Sequence, residues 1–302
     1  MSTIHYSSCP VCDSPDIMKV LSVKDHSVSG EVFVIMECRV CAFRFTQDIP
    51  DANSIGPYYQ SDEYISHSNT TKGLINNLYQ RVRKRTLRQK QKLVERVTGL
   101  KQGGLLDLGA GTGTFASQMK KAGWNVTALE PDAGARSVAK QQFGIELNDT
   151  TEFQGLENSS FDVITMWHVL EHVHDLHGYV KKLADLLNEN GKLVIAVPNY
   201  QSTDAAIYGE YWAAYDVPRH LYHFSPKSMM VLMEAYGLTV SKQFPMWYDS
   251  FYVSMLSSKY KKGKTKLISS VFNGIRSNAN ALGDVKRCSS IIYIIKARPF
   301  ID

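Results

Sequence analysis

Apolar positions between residues 101 and 200 follow two alternating periods. Leu105–Leu108, Val126–Leu129, Ile145–Leu147, Phe161–Met166 and Lys192–Val197 are short, mostly apolar runs. Between them the spacing turns helical, at Phe115, Met119 and Ala122, over Ala133–Phe143 closed by Gly144, and over Lys181–Asn188 closed by Asn190-Gly191. Continuous apolar runs suit strands buried on both faces, and strands alternating with helices specify a parallel sheet covered on both sides. Further on, Ser225-Pro226 opens a helix over Lys227–Tyr236, Leu238–Val240 reads as a strand, and Ile291–Lys296 reads as a final antiparallel strand.

The flanks carry other patterns. Thr70–Leu100 is helical, with Leu74, Leu78, Val82, Leu87, Val94 and Val97 on one stripe. Its other face holds Arg81, Arg83, Lys84, Arg85, Arg88, Lys90 and Lys92, which we read as solvated in preference to a phosphate-binding patch. Residues 48–68 are rich in Pro, Asp, Asn and Ser and form a linker, whose Tyr58, Tyr59 and Tyr64 pack on the larger body or line an entrance. Late in the chain, residues 259–266 are a basic turn. Leu267, Ile268, Val271, Phe272 and Ile275 then make an amphipathic helix. A lid helix packed on the core by that stripe is preferred there to contact with a membrane surface.

One junction of strand and helix has chemistry built into it. Asp107 ends the first strand, Gly109-Ala110-Gly111-Thr112-Gly113 makes the turn, and Glu130-Pro131-Asp132 follows the second strand. Glycines admit positive φ and let a ligand approach the backbone. The helix start leaves N–H groups unpaired, and an acid at Glu130 can accept bonds from ribose hydroxyls. LDLGAGTGTF followed by ALEPD resembles the first motifs of class I S-adenosylmethionine-dependent methyltransferases, and FDVITMWHVLEHVHD with GKLVIAVPN resembles later ones. The subgroup containing ubiquinone-type O-methyltransferases and uncharacterised HVLEHV relatives fits best. The resemblance implies that Asp107 meets the methionine end of the cofactor. It implies that Gly109, Gly111 and Gly113 pass beneath the cofactor, and that Glu130, with Pro131 and Asp132, holds the ribose.

Six of the nine histidines lie between His168 and His223. His168, Glu171 and His172 follow the fourth strand at the sheet edge where ligands bind. Placed on an emerging helix, the two histidines share a face and supply a base or two metal ligands, the metal being the less favoured; equally, His168 and Glu171 shape the cofactor pocket without exchanging protons. His174 and His177 read as surface loop. A second cluster, Arg219, His220, Tyr222 and His223, combines an anion binder, bases and a phenol in PRHLYHFSP, which resembles a segment of the HVLEHV relatives that follows the fifth strand and closes over the cofactor; a lid held by its own hydrogen bonds is the alternative. His220 is its first-choice base. Arg219, Tyr222 and His223 are candidate substrate contacts.

Cysteine use adds a separate site. Cys9 and Cys12 form one CxxC, Cys38 and Cys41 another, with residues 13–37, 25 residues, between them. Val32–Met36 reads as a strand feeding the second pair. Two such pairs fit a tetrahedral structural zinc. The 302 residues carry a net charge of +5, too mild to argue for nucleic acid, and no apolar run reaches membrane-span length. The N-terminus lacks signal-peptide features, so a cytoplasmic protein is expected.

The expected architecture is α/β: a Rossmann-like class I methyltransferase sheet with helices on both faces, plus a small N-terminal zinc-ribbon β module. The module covers residues 1–50, a linker and basic helix 51–100, and the methyltransferase domain 101–302 with lid insertions at 200–226 and 247–287. The resemblance implies methyl transfer from S-adenosylmethionine to a small-molecule or carrier-linked acceptor, oxygen before carbon, in settings such as sugar, polyketide or surface-glycan assembly. An RNA methyltransferase gripping phosphates with the ribbon and basic helix, and a non-catalytic cofactor-binding module, are the alternatives.

Overall fold

The structure is a computed structural model that describes residues 2–60, 74–265 and 267–298, with side chains of the long helix from residue 81 onward. Tyr64 and the start of the helix expected from Thr70 lie outside these residues. The N-terminal part holds β1 (Thr3–Ile4), β2 (Ile17–Lys24), β3 (Val32–Cys38), β4 (Arg44–Thr46) and β5 (Ile49–Pro50). Helix α1 (Leu74–Thr98) leads into β6 (Gly104–Leu108), α2 (Thr114–Lys121), β7 (Asn125–Leu129), α3 (Ala133–Phe143), β8 (Phe161–Trp167), α4 (Leu176–Leu186) and β9 (Leu187–Pro198). There follow α5 (Thr203–Tyr208), β10 (Tyr222–His223), α6 (Pro226–Glu234), β11 (Leu238–Pro245), α7 (Asp249–Lys262), α8 (Leu267–Gly283) and β12 (Ser290–Ala297).

The main sheet has the order β11-β12-β9-β8-β6-β7. The last four are parallel, and β12 runs antiparallel to both its neighbours. Successive residues of a strand point to opposite faces, and the apolar runs use both. Leu105, Val163 and Val194 pack with Val94 of α1 and with Phe115 and Met119 of α2. Their neighbours Leu106, Ile164 and Leu193 pack on the other side with Val180 and Leu183 of α4. The order reverses between β6 and β8, so their C-terminal ends border a crevice.

Several elements differ from the sequence reading. Ile145–Leu147 is not a strand. Ile145 and Leu147 are buried against α2 and α3 instead, and only Asn148 bridges to Leu129. Helix α4 starts earlier than Lys181, because the Asp175 carboxylate caps it by accepting from Gly178 N at 2.9 Å. It ends at Leu186, and Asn190-Gly191 falls within β9, which pairs with β8 from Leu187. His174 and His177 are half-buried rather than open loop residues: they donate to the Pro50 and Pro10 carbonyls at 3.0 and 2.7 Å, tying the main body to the N-terminal part.

That tie goes further. Strand β10, from the segment after β9, completes the N-terminal sheet in the order β10-β4-β3-β2, pairing Tyr222 with Phe45 and His223 with Arg44. One apolar core runs from Cys9, Phe43 and Phe45 through Tyr222 and Phe224 to Leu106 and Ile195. Helix α8 packs in the opposite sense to expectation, with Ser270, Gly274, Ser277 and Ala281 inward and the aliphatic stripe outward.

Candidate active site and a four-cysteine metal site

The glycine turn sits at the C-terminal end of β6. Gly109, Gly111 and Gly113 all have positive φ, of 65°, 56° and 71°. At Gly109 a Cβ would lie 2.4 Å from Cγ2 of Val169, so the turn is pressed against the segment that follows β8. At Gly111 a Cβ would meet nothing within 4 Å, which leaves open space above the turn. The Glu130 carboxylate accepts from Gly111 N at 2.7 Å and from Asp132 N at 3.0 Å. Each carboxylate oxygen has a further lone pair for a hydroxyl. Asp132 itself is the N-cap of α3, accepting from Ala135 N at 2.6 Å.

Asp107 is buried and bonded by Thr165 Oγ1 at 2.6 Å. Burial pushes its carboxyl up to about 7, against the smaller opposing pull of the Thr165 hydroxyl and Lys90. A carboxylate held in this state lacks a close cation, and an ammonium group arriving over the turn would supply one. These residues therefore fit the cofactor: Asp107 for its amino group, Gly111 for close approach, Glu130 for its ribose.

Three residues at this edge were missed by sequence reasoning. Lys90 was read as part of a solvated face, but its Nζ lies 4.1 Å from the Trp167 ring centroid. Burial lowers its ammonium to about 8, opposed by the charges of Asp249 and Asp107. Asp249, at the start of α7, places Oδ2 at 2.9 Å from His168 Nε2. The third, Trp167, has a buried indole N–H with no partner among the described residues. Helical spacing could have separated Lys90 from the exposed Arg85 and Arg88. Nothing local marks Asp249, which is 81 residues from His168.

The HVLEHV segment is not an α-helix. His168 has φ of 61°, and only Leu170–His172 make a 3-10 turn. His168 Nδ1 lies 3.2 Å from Glu171 Oε1. Carboxylates only accept, so both ring nitrogens of His168 donate. The imidazolium is held up at about 10 by Asp249 and Glu171, despite burial, which pulls the other way most strongly. This geometry removes His168 as a base at neutral pH and as a metal ligand.

His172 and His220 have the opposite arrangement. His172 Nδ1 lies 2.9 Å from the Arg219 carbonyl and His220 Nδ1 2.8 Å from the Ala214 carbonyl. Carbonyls only accept, so Nδ1 carries the proton in both and Nε2 carries the lone pair. The rings meet edge to face, 4.6 Å between centroids. Burial, with the charge of His220, lowers His172 to about 4 and keeps it neutral. Tyr59 supports it from the linker, its hydroxyl 3.1 Å from Nδ1. Glu171 is buried beside them, and its Oε2 has no partner among the described residues. One ligand atom each from Glu171, His172 and His220 lies within 4.8 Å of the others, so this trio, which excludes His168, could also hold a divalent cation.

The candidate substrate contacts are placed elsewhere. Arg219 is buried, bonding Asp216 at 2.7 Å, Asp25 at 3.1 Å and the Tyr58 carbonyl at 2.8 Å. Its charge is spent on these acids, so it is not available to bind an anion. The Tyr222 hydroxyl meets that of Tyr6 at 3.2 Å, and His223 Nε2 meets Thr46 Oγ1 at 3.1 Å, both buried in the N-terminal sheet. The three hold the lid to the module.

The cysteines converge. Cys9 and Cys41 sulfurs are 3.5 Å apart, Cys12 and Cys38 3.6 Å, and all four lie within 4.8 Å. Zinc–thiolate bonds of about 2.3 Å place tetrahedral sulfurs about 3.8 Å apart. The residues after the two pairs, Asp13 and Ala42, turn at positive φ and bond back to the Cys9 and Cys38 carbonyls. The donor set fits a closed structural zinc site in a ribbon-like module.

A methyltransferase-domain family model matches residues 79–243, more than half of the chain. An uncharacterized methyltransferase of Alkaliphilus oremlandii is 27% identical over 146 residues, covering 47% of this chain and 68% of that protein. A ubiquinone biosynthesis O-methyltransferase of Cronobacter sakazakii is 32% identical over 114 residues, covering 35% of this chain and 47% of that one. The chain thus spans about half the length of that relative. A solved SAM-dependent methyltransferase from Archaeoglobus fulgidus is 17% identical with a TM-score of 0.45, covering 70% of this chain and 94% of that one. Glycine turn, flanking acids and sheet order agree with the family match, and the chain belongs to the methyltransferase-domain family as a class I S-adenosylmethionine-dependent methyltransferase.

Proposed function

We propose that the chain methylates an oxygen of a small-molecule or carrier-linked acceptor, with His220 taking the hydroxyl proton. The observation that carries this is the pair of imidazoles, His172 and His220, whose Nδ1–H groups are held by backbone carbonyls beside the buried Glu171, with His220 Nε2 4.0 Å from Asp216 Oδ2. Bound S-adenosylmethionine supplies an electrophilic methyl group on a sulfonium, and Asp107, Gly111 and Glu130 would hold it. An acceptor hydroxyl is a weak nucleophile until its proton is removed as the new carbon–oxygen bond forms. His220 Nε2 accepts that proton. The Ala214 carbonyl fixes the ring's tautomer, and the Glu171 carboxylate stabilises the imidazolium that results. His172, neutral, packs its ring against His220 and fixes its orientation. His168, doubly bonded to Asp249 and Glu171, holds that carboxylate in place. The O-methyltransferase names among the relatives support oxygen over carbon, and acceptors from glycan or secondary-metabolite assembly are the class to screen.

The experiment is turnover against an acceptor found in such a screen, beside S-adenosylhomocysteine affinity by calorimetry. His220→Ala should lower turnover by about a hundredfold or more while cofactor affinity stays within about threefold. Unchanged turnover in His220→Ala would remove the base. A divalent ion held by the trio would instead register as metal beyond the zinc, lost in Glu171→Gln.

A further inference from the structure

Helices α7 and α8 form a hairpin that is built inside out. The inward side of α8 is Ser270, Gly274, Ser277 and Ala281, and that of α7 includes Ser250, Ser254, Ser257 and Ser258. Their seam is polar and tight. Ser270 donates to Ser258 at 3.0 Å, Ser277 to Asp204 at 2.9 Å, and a Cβ at Gly274 would come within 2.6 Å of the Phe251 ring. The apolar stripe of α8 faces away: Leu267, Ile268, Val271, Phe272, Ile275 and Leu282 are exposed, Ile268 by 89%, Phe272 by 65% and Leu282 by 78%. At the helical step of 100° per residue all six fall on one arc, its centre turned about 120° from that of the serine stripe. An ordinary surface helix has these two faces exchanged.

Charge says what covers this face. From Ser250 to Gly283 the sequence has no Asp or Glu and six Lys or Arg, five of them between Lys259 and Lys266, in the last turn of α7 and the residues that join it to α8. A second copy docking symmetrically through this face would set like charges against like. An anionic bilayer meets both features, since aliphatic side chains enter the headgroup–acyl boundary while lysines meet lipid phosphates. Among the described residues no helix is long and apolar enough to cross a membrane, so the hairpin would lie in the interface. We propose that the outward face of α8, with the lysine turn before it, docks this protein on an anionic lipid surface. The root of the hairpin is Asp249, bonded to His168. The 14 residues of α7 rise about 20 Å at 1.5 Å each, so a docked bilayer lies within a short reach of the catalytic edge. The inference concerns a surface and does not depend on which acceptor or base is used.

The test uses the full chain with zinc, sedimented with vesicles of phosphatidylcholine alone or mixed with phosphatidylglycerol. Association with the anionic vesicles is expected, weakening as salt is raised. Ile268→Asp combined with Phe272→Asp should cut partitioning at least about tenfold, and Lys262→Glu with Lys264→Glu should abolish the anionic preference. All four positions are exposed, so thermal stability and S-adenosylhomocysteine affinity should not change, and these report that the variants are folded. No association with either vesicle overturns the proposal, as does association that survives Ile268→Asp/Phe272→Asp. A dimer in light scattering that the same double substitution disperses, without vesicle binding, assigns the face to a second copy and also overturns it.

Discussion

Asp107 shows how one buried acid couples proton and cofactor. Its carboxyl titrates at about 7 in the folded chain, against an ordinary value of 3.8. Between those values the folded chain holds a proton that the unfolded chain has lost, so this residue's contribution to stability falls as pH rises from about 4 to 7 and is level above. Cofactor binding carries the opposite sign, because an ammonium group prefers the ionised carboxylate. S-adenosylhomocysteine affinity should therefore climb with pH, by up to about tenfold per unit, until about pH 7, and then flatten. Calorimetry across that range checks it, and Asp107→Asn should bind weakly with no slope; a flat profile in the unsubstituted chain would dissociate Asp107 from the cofactor. At this scale the sequence revealed what is local. Asp107, the glycines and Glu130 lie within 24 residues of one another and are set by one turn. The protonation of His168 was not legible, since it depends on Asp249 from a distant helix and on a 3-10 turn where a helix was expected. Lys90 escaped because its charge groups it with the basic stripe, although its spacing from Leu87 and Val94 sets it on the apolar side of the helix, where it packs on Trp167.

Among the elements, β10 has the least sequence signature and a large structural consequence. It has two residues, yet it joins the lid to the four-stranded N-terminal sheet, and Arg219 just before it is buried between Asp25, in the turn after β2, and Asp216 of the lid. The chemistry of Arg219 was visible in the sequence, but its partners were not, because a buried arginine and an anion-binding arginine have the same composition around them. Removing one side of a buried charge cluster costs about 3–5 kcal/mol, since the other charges stay unpaired. Arg219→Met should lower the denaturant midpoint accordingly. It should also reduce turnover more than S-adenosylhomocysteine affinity, because the Arg219 carbonyl holds His172 Nδ1 and Arg219 adjoins His220 in the chain, while its guanidinium bonds Asp216, Asp25 and the Tyr58 carbonyl rather than the glycine turn. Equal losses of both would mean that the lid is not organised separately from the cofactor edge. Asp25→Asn, which keeps hydrogen-bonding groups in place, should show the same pattern with a smaller stability loss. The central strands were legible because period and flanking turns agree there. Ile145–Leu147 carries the same apolar signal, but its side chains pack against α2 and α3 and its backbone contributes one bridge.

Across the whole molecule the cysteine module and the methyltransferase body share a sheet, a charge cluster and one continuous apolar core. A small β module has too little apolar surface to fold alone and gains much of its stability from its metal. Here it also gains from burial against Leu221, Tyr222 and Phe224. The body gains in turn, because Phe43 and Phe45 cover a lid whose aromatic side chains would otherwise face water. Stabilisation that runs both ways across an interface predicts one cooperative transition rather than two. Heating the zinc-loaded chain should give a single unfolding step by circular dichroism and by calorimetry. A chelator that removes the metal should lower the midpoint of that same step. S-adenosylhomocysteine, bound at the C-terminal ends of the main-sheet strands, should raise it, adding about 2.7 kcal/mol of stability at a hundredfold excess over its dissociation constant. Two resolved steps, one moved only by the chelator and the other only by the cofactor product, would show that the shared sheet and core do not couple the two parts. A single step that responds to both would make the metal a determinant of the catalytic lid's order as well as of the module's.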